Sequence, residues 1–210
     1  RAPFDPECPW PGGRENHIQG DLADPEAFEA IAAEVRRRLG GGGLNALVNN
    51  AAISPKRPGG ARMGVADTDY ATWAAVFNVN LFSAALLSRN LLPELKATGG
   101  TIVNVTSIAG SRVHPFAGVA YACSKAALAT LTREQAFDFG RFGVRVNAIA
   151  PGEIDTSILS PGTQEIVDNE IPMRRLGTVS EVAHAIYFLV SEQSAYVNGT
   201  ELHINGGQHC

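Results

Sequence analysis

The sequence predicts an α/β protein in which strands and helices alternate around a parallel sheet. Short apolar runs of strand length alternate with longer segments whose apolar residues recur at helical spacing. Of the 210 residues, 45% are hydrophobic and 18% are charged, which suits one well-buried domain over residues 1–210. A net charge of −4 speaks against a nucleic-acid partner and against an anionic membrane surface.

The first half of the chain is predicted to contain two strands and two helices. Residues 1–16 are rich in proline and glycine and are expected to form a loop. A helix is predicted to begin at Asp24-Pro25-Glu26, with aspartate at the N-cap and proline in the first turn, and to end at Gly40. The remaining predicted elements are a short strand over 17–20, a strand over 44–48 and one long helix from about 68 to 96.

The second half is predicted to contain three strands and two helices. Residues 157–177 have no clear period and suit a mobile lid over a substrate. Thr178 and Glu181 form a capping-box pattern at the start of the last helix. The predicted elements are a strand over 101–106, a helix from 119 to about 139, a strand ending at 149, a helix from 178 to about 190 and a strand over 201–204.

Tyr121 and Lys125 are the first candidates for catalysis. They are four residues apart in the predicted helix, so both side chains project from one face. A free phenol titrates near pH ~10 and is a poor acid or base at neutrality. A nearby ammonium favours the phenolate and brings the pKa of the tyrosine toward the working pH. Taken alone, such a pair more often marks a helix face with one aromatic residue and one solvated charge.

Polar and small residues that follow the predicted strands supply the context. Ser107 closes the strand over 101–106, and the carboxyl ends of parallel strands face the ligand crevice of such a sheet. Three further motifs accompany it, namely Asn49-Asn50-Ala51-Ala52, Asn80 within Asn-Val-Asn-Leu, and Pro151-Gly-Glu-Ile-Asp-Thr156. In this order they resemble the short-chain dehydrogenase/reductase family, particularly bacterial 3-oxoacyl carrier-protein reductases and their alcohol-dehydrogenase relatives. The resemblance covers about residues 17–207 and implies a Rossmann-like, doubly wound parallel sheet with helices on both faces.

The resemblance also implies a reaction and a role for each catalytic residue. It implies an enzyme that transfers a hydride between NAD or NADP and a secondary alcohol or carbonyl substrate. By this likeness Tyr121 is the general acid/base, and Lys125 lowers its pKa and grips the ribose. Ser107 would hydrogen-bond the substrate oxygen, and Asn80 would complete a proton relay behind the lysine.

A larger set of residues is implied to hold the cofactor. Those expected near the adenosine are Asp21, Leu22, Asn50 and Ala51. Those expected near the nicotinamide and its ribose are Tyr121, Lys125, Pro151, Gly152, Ile154 and Thr156. We expect no metal site.

Two departures from the family pattern concern the cofactor. The family opens with a Thr-Gly-x-x-x-Gly-x-Gly turn that cradles the pyrophosphate, and no segment of this sequence matches it. The opening β-α-β unit is therefore expected to be missing from the chain, and the choice between NAD and NADP is not readable. Ala52 replaces the usual glycine of the Asn-Asn-Ala-Gly signature.

Several further expectations are made from the sequence. Three widely spaced cysteines suit a reducing cytoplasm, and Cys123 is expected to be a packed small side chain. No apolar run reaches the length of a membrane span, so no membrane partner is expected. Glu153 and Asp155 are expected to be ordinary solvated side chains. The resemblance favours a homo-oligomer, either a dimer or a tetramer. Two alternatives stay open, a non-catalytic sensor of a dinucleotide and a truncated scaffold that survives as an oligomer.

Overall fold

A computed structural model describes residues 13–156, 159 and 162–210, and its framework is a sheet of parallel strands. The strands are β1 (Ala46–Asn49), β2 (Thr101–Val105), β3 (Arg145–Pro151) and β4 (Glu201–Ile204). They are hydrogen-bonded in the order β1-β2-β3-β4, and every pair is parallel. All carboxyl ends therefore lie at one edge of the sheet, as the sequence predicted.

Helices connect the strands and cover both faces of the sheet. They are α1 (Ala27–Leu39), α2 (Tyr70–Phe77), a π-helical turn (Asn78–Phe82), α3 (Ser83–Asn90), α4 (Leu92–Thr98), α5 (Val119–Gly140), α6 (Thr163–Asn169) and α7 (Val179–Val190). Short 3₁₀ turns occur at Gly13–Asn16, Pro58–Gly60, Val65–Asp67, Ile108–Gly110 and Glu192–Ser194.

Strand β2, which lies between β1 and β3, divides the core into two layers. Ile102 of β2 packs in a cluster with Leu95 of α4 and Ala136 of α5. Its neighbour Val103 points to the opposite face and packs with Leu189 of α7. Successive strand residues point to opposite faces, so both layers are apolar and β2 is buried along its whole length. This confirms the expected parallel sheet with helices on both faces.

The predicted strand over 17–20 is wrong, since these residues have no regular structure. Strand pairing needs a neighbour that supplies the other half of the ladder. Here the His17 carbonyl instead accepts a hydrogen bond from Arg38 of α1 at 3.0 Å. The start of α1 also differs from the prediction, because the helix begins at Ala27 and Asp24 accepts from the Glu26 N–H in a turn before it. The predicted end of this helix is confirmed at Gly40, which adopts a left-handed conformation with φ 56°.

The single long helix predicted over 68–96 is divided in two places. At the π-helical turn the Ser83 N–H reaches back to the Asn78 carbonyl, five residues away instead of four. At Leu91 the backbone leaves helical geometry, with φ −100° and ψ 6°, just before Pro93. Proline has no N–H and its ring clashes with the preceding turn, which accounts for the second break.

By length and composition, the continuous segment Tyr70–Asn90 is apolar enough to cross a membrane, which the sequence analysis did not anticipate. Its middle carries the buried Asn80, and its buried residues also include Val76 and Ala84. A core helix of an α/β domain passes the same test of length and hydropathy. In this segment, 28% of the most apolar 18-residue window is buried within the described part of the chain.

Residues 157–177 were expected to form a lid without regular structure. Residues 157, 158, 160 and 161 lie outside the described part of the chain. The rest contains α6, whose Ile166 and Val167 pack with Ile171 and against Phe116. The capping box at Thr178 and Glu181 is confirmed, with hydrogen bonds in both directions.

Candidate active site

Ser107 lies two residues beyond β2, where the chain turns toward α5. Its backbone is extended, and its Oγ accepts a hydrogen bond from the Ala109 N–H at 3.2 Å. The following 3₁₀ turn packs directly on α5, because a Cβ added at Gly110 would lie 2.9 Å from the Ala126 nitrogen. Close backbone packing therefore fixes the serine relative to the helix that carries Tyr121.

Lys125 is the most buried charged side chain of this region, with 2% of its surface exposed. Its Nζ donates to the Val105 carbonyl at the end of β2, at 2.6 Å, and lies 5.6 Å from the centroid of the Tyr121 ring. Burial lowers the pKa of Lys125 to about 8. The spacing of four residues thus places the phenol and the amine together, as the helix periodicity predicted.

The direction of the Tyr121 shift differs from the sequence expectation. Burial raises the pKa of the phenol, and the Ser107 hydroxyl lowers it through a hydrogen bond, while the charge of Glu153 raises it further. The Lys125 ammonium, which favours the phenolate, is itself desolvated and tied to a carbonyl, and the effect of burial is the larger one. The structure therefore supports the proximity of Ser107, Tyr121 and Lys125 but not the expected lowering of the tyrosine pKa.

Asn80 occupies the π-helical turn and is 2% exposed. Its Oδ1 accepts from the Ile53 N–H at 2.8 Å, and its Nδ2 donates to the Ile53 carbonyl at 3.0 Å and to the Ser124 hydroxyl at 3.0 Å. A buried amide is costly unless it is hydrogen-bonded, and here both of its polar atoms are paired. Asn80 thus joins the loop after β1 to the turn of α5 that carries Tyr121 and Lys125.

The two asparagines after β1 have different environments. Asn49 donates to the Asn104 side chain of β2 at 2.8 Å and fixes the end of the strand. Asn50 and Ala51, the predicted cofactor contacts, are exposed at the carboxyl edge of the sheet. They are free to meet a ligand there, whereas Asn49 is a structural residue.

The segment after β3 is fixed by backbone bonds. The Gly152 N–H donates to the Ile204 carbonyl at 3.0 Å, and a Cβ at Gly152 would lie 2.6 Å from Asn205 Cβ. Ile154 forms a parallel bridge with Gly177, which holds the segment against the chain before α7. Pro151 and Thr156 bracket this segment and, like Gly152 and Ile154, are partly buried.

Asp21 and Leu22 lie in the turn before α1. The Asp21 side chain accepts from the Ala23 N–H at 3.1 Å, and the Ala23 carbonyl accepts from Asn78 at 3.3 Å. The turn is therefore attached to the same π-helical turn that carries Asn80. Cys123 is exposed, which corrects the expectation of a packed side chain, because it lies on the solvent side of α5.

The sequence analysis missed a pair of polar side chains beside Tyr121. His114 Nε2 lies 2.5 Å from Glu153 Oε1, and only 9% and 12% of the two side chains are exposed. Glu153 is therefore not the solvated side chain that was expected, although Asp155 is exposed. A signal was present, since Glu153 immediately follows Pro-Gly at a strand end and His114 lies in the loop after Ser107. Their separation of 39 residues hid the pairing.

The donors at this edge fit the nicotinamide and ribose end of a dinucleotide. In the part of the chain that is described, Val105 is the only hydrogen-bond partner of the Lys125 amine, which leaves donors for ribose hydroxyls. Asn50 and Ala51 are exposed beside it, and the segment from Pro151 to Thr156 borders the same edge. The Lys125 amine and the exposed Asn50 amide are therefore the donors that a ribose would meet at this edge.

Comparison with known proteins gives consistent results. The family described as enoyl-(acyl carrier protein) reductase matches residues 11–209. The chain is 56% identical over 210 residues to protein FixR of Bradyrhizobium diazoefficiens, which covers 100% of this chain and 76% of FixR. The fold is similar to that of an oxidoreductase of the short-chain dehydrogenase/reductase family from Brucella ovis, in complex with a partially ordered NAD. The TM-score is 0.83 and the identity is 57%, over 96% of this chain and 84% of that one.

A second solved structure extends the likeness at lower identity. It is a 3-oxoacyl-[acyl-carrier protein] reductase with bound NAD from Brucella melitensis, with a TM-score of 0.82 and 34% identity over 92% of this chain and 71% of that one. Both structures hold NAD, and both share most of the described fold.

Proposed function

We infer that this chain, which belongs to the short-chain dehydrogenase/reductase family, is an NAD- or NADP-dependent oxidoreductase acting on a secondary alcohol or its ketone. The convergence of Ser107, Tyr121 and the buried Lys125 at the carboxyl edge of the sheet carries this proposal. The nicotinamide supplies the chemistry of accepting or donating the hydride when it is bound.

Each side chain has a distinct task in the proposed reaction. In alcohol oxidation the substrate loses a hydride from carbon and a proton from its hydroxyl, and Tyr121 takes that proton. Ser107 holds the reacting oxygen by a hydrogen bond, since its hydroxyl already lies within reach of the phenol. Lys125 places a positive charge beside the phenolate that forms and stabilises it electrostatically.

Asn80 acts on the far side of the lysine. Its amide is bonded to Ile53 and Ser124, so it holds the loop after β1 at a fixed distance from α5. We propose that it positions the groups through which the proton leaves the site. The substrate is a small molecule in this proposal, and the assembly is a homodimer or homotetramer in the cytoplasm.

The test is Tyr121→Phe in the full-length protein. Removing the phenolic oxygen should lower kcat by roughly 100-fold or more, the usual contribution of a positioned acid/base, with cofactor affinity nearly unchanged. Turnover is followed by nicotinamide absorbance on a panel of alcohols and ketones, and binding by nicotinamide fluorescence. Tyr196→Phe, at a fully exposed tyrosine, is the matched control and should keep the wild-type rate. A Tyr121→Phe variant that retains most of its rate would refute the proposed role.

A further inference from the structure

The pair formed by His114 and Glu153 has a defined protonation pattern. The Phe116 N–H donates to His114 Nδ1 at 3.2 Å, so Nδ1 carries no proton. The proton of the neutral ring is then on Nε2, which donates to Glu153 Oε1 at 2.5 Å. An imidazole in this tautomer orients the carboxylate by donating a hydrogen bond to it.

The second carboxylate oxygen of Glu153 is available to a ligand. Within the described residues, His114 is the only hydrogen-bond partner of the Glu153 side chain, and neither carboxylate oxygen is an unpaired buried atom. The remaining oxygen therefore keeps some accessible surface, although only 12% of the side chain is exposed. The Glu153 backbone cannot shift easily, since its carbonyl accepts from the Gly177 N–H at 2.9 Å.

Several charged or titratable groups lie around this carboxylate, and those that line a cavity with it are Arg175, Glu181, His203 and His209. Lys56 donates to the Phe116 carbonyl, and burial lowers its pKa while the charge of Glu153 opposes that shift. The Lys125 amine donates to the Val105 carbonyl. Tyr121 itself feels the charge of Glu153. The carboxylate thus lies within electrostatic range of the reacting phenol and of the Lys56 ammonium.

We propose that Glu153, oriented by His114, is a specificity-determining residue that selects substrates with a second hydrogen-bond donor close to the reacting carbon and rejects substrates with a carboxylate there. The donor is an ammonium or a hydroxyl group on the neighbouring carbon. A site built to bond a polar group discriminates strongly against analogues that leave it unpaired, and a like charge is repelled. This proposal rests on the proposed oxidoreductase function.

The test uses four alcohols of one skeleton, CH3–CHOH–CH2–X, oxidised by the full-length protein with NAD⁺ or NADP⁺. X is methyl in butan-2-ol, hydroxyl in propane-1,2-diol, ammonium in 1-aminopropan-2-ol and carboxylate in 3-hydroxybutanoate. We expect kcat/KM for the ammonium compound to exceed that for the methyl compound by roughly 10-fold or more, with the hydroxyl compound between them. The carboxylate compound should fall below the methyl compound by a similar factor.

Glu153→Gln removes the charge and keeps the size and the bond that His114 donates. It should reduce the advantage of the ammonium compound to within roughly 3-fold of the methyl compound and raise kcat/KM for 3-hydroxybutanoate. Asp155→Asn makes the same chemical change at an exposed position two residues away and should leave the profile unchanged.

The outcomes separate the two proposals. A wild-type profile that is flat across the four compounds overturns the role of Glu153 and leaves hydride transfer standing. The same conclusion follows if Glu153→Gln keeps the wild-type ratios. No turnover of these compounds or of a wide panel of alcohols and ketones, in a protein that binds the nicotinamide, overturns the function and the specificity together. The wild-type profile decides even if Glu153→Gln fails to fold.

Discussion

Lys125 carries a charge that its surroundings disfavour. It is 2% exposed, and burial lowers its pKa from 10.5 to about 8. The unfolded chain therefore binds more protons than the folded chain between pH 8 and 10.5, so stability rises with pH across this window. Below pH 8 both states are protonated, and the ammonium costs the folded state about 3 kcal/mol by the size of the shift, an order-of-magnitude figure.

Lys125→Met is expected to stabilise the protein and to abolish its activity. The apolar side chain of similar length escapes the desolvation cost, but the Val105 carbonyl loses its donor, at a cost of about 1 kcal/mol. The melting temperature at pH 7 should rise by about 2–8 °C for a domain of this size, and the gain should shrink toward pH 10. Thermal melts at several pH values measure this.

Lys96→Met is the control, since Lys96 is exposed and should give no pH-dependent gain. A Lys125→Met variant that melts below the wild type at pH 7 would contradict the interpretation. The result bears on function, because a residue that destabilises the fold and is essential for turnover is retained for its chemistry.

At the scale of elements, the π-helical turn at Asn78–Phe82 places one amide where three elements meet. Asn80→Ala removes hydrogen bonds to the Ile53 N–H, the Ile53 carbonyl and the Ser124 hydroxyl. We expect a loss of about 1–3 kcal/mol in the free energy of unfolding, and a kcat lowered by roughly 10-fold or more because the loop after β1 is released. Chemical denaturation and steady-state kinetics measure the two effects.

Asn78→Ala is the matched control in the same turn. Among the described residues, the Asn78 side chain makes one hydrogen bond, to the Ala23 carbonyl at 3.3 Å, and its loss should cost less than about 1 kcal/mol. If both substitutions lower kcat equally, the hydrogen bonds of Asn80 have no effect on turnover beyond that of disturbing the π-helical turn.

The turn between β2 and α5 is a second element on which the site depends. A Cβ at Gly110 would lie 2.9 Å from the Ala126 nitrogen and 3.0 Å from the Lys125 carbonyl carbon, both backbone atoms that cannot move independently of α5. Gly110→Ala should therefore cost about 1–3 kcal/mol and reduce turnover by separating Ser107 from Tyr121.

Gly118→Ala tests whether the effect is specific. Gly118 lies in the same loop, and the nearest atom to its added Cβ is 3.5 Å away, an ordinary contact. It should be tolerated with little change in melting temperature. If Gly110→Ala is as stable and as active as Gly118→Ala, then the close approach of the turn to α5 does not determine the site geometry.

These elements show which features the sequence could predict. The helix that carries Tyr121 and Lys125 has an uninterrupted pattern, so its start at Val119 was predicted correctly. The strand expected at His17 failed because strand formation depends on a neighbour, which a local pattern does not contain. The break at Asn78–Phe82 lies within an apolar run of helical period, and only the two asparagines marked it.

The candidate site shows the same division. Tyr121 and Lys125 are one helical turn apart, so their proximity follows from local geometry alone. Glu153 and His114 come from two different loops, and their contact depends on how β3 is placed beside the turn after β2. The raised pKa of Tyr121 was missed for a related reason, since burial is a property of the folded molecule and spacing does not reveal it.

At the scale of the whole molecule, exposed apolar side chains favour self-association. Phe137 of α5 is 84% exposed, although its neighbour Ala136 is buried in the core. A large apolar side chain held on a rigid helix is the type of residue that anchors a subunit contact. We predict that the protein is a homodimer or homotetramer in which α5 contributes to a contact.

Phe137→Lys is expected to weaken the assembly by placing a charge in that contact. The molar mass from light scattering during size-exclusion chromatography should fall toward that of a smaller species at micromolar concentration. Val65→Lys, at a 76% exposed position in a 3₁₀ turn, is the control and should leave the mass unchanged. A monomeric wild type would contradict the predicted oligomer, and an unchanged mass for Phe137→Lys would exclude α5 from the interface. Because α5 also carries Tyr121 and Lys125, a dissociated variant that loses turnover would further link assembly to the geometry of the site.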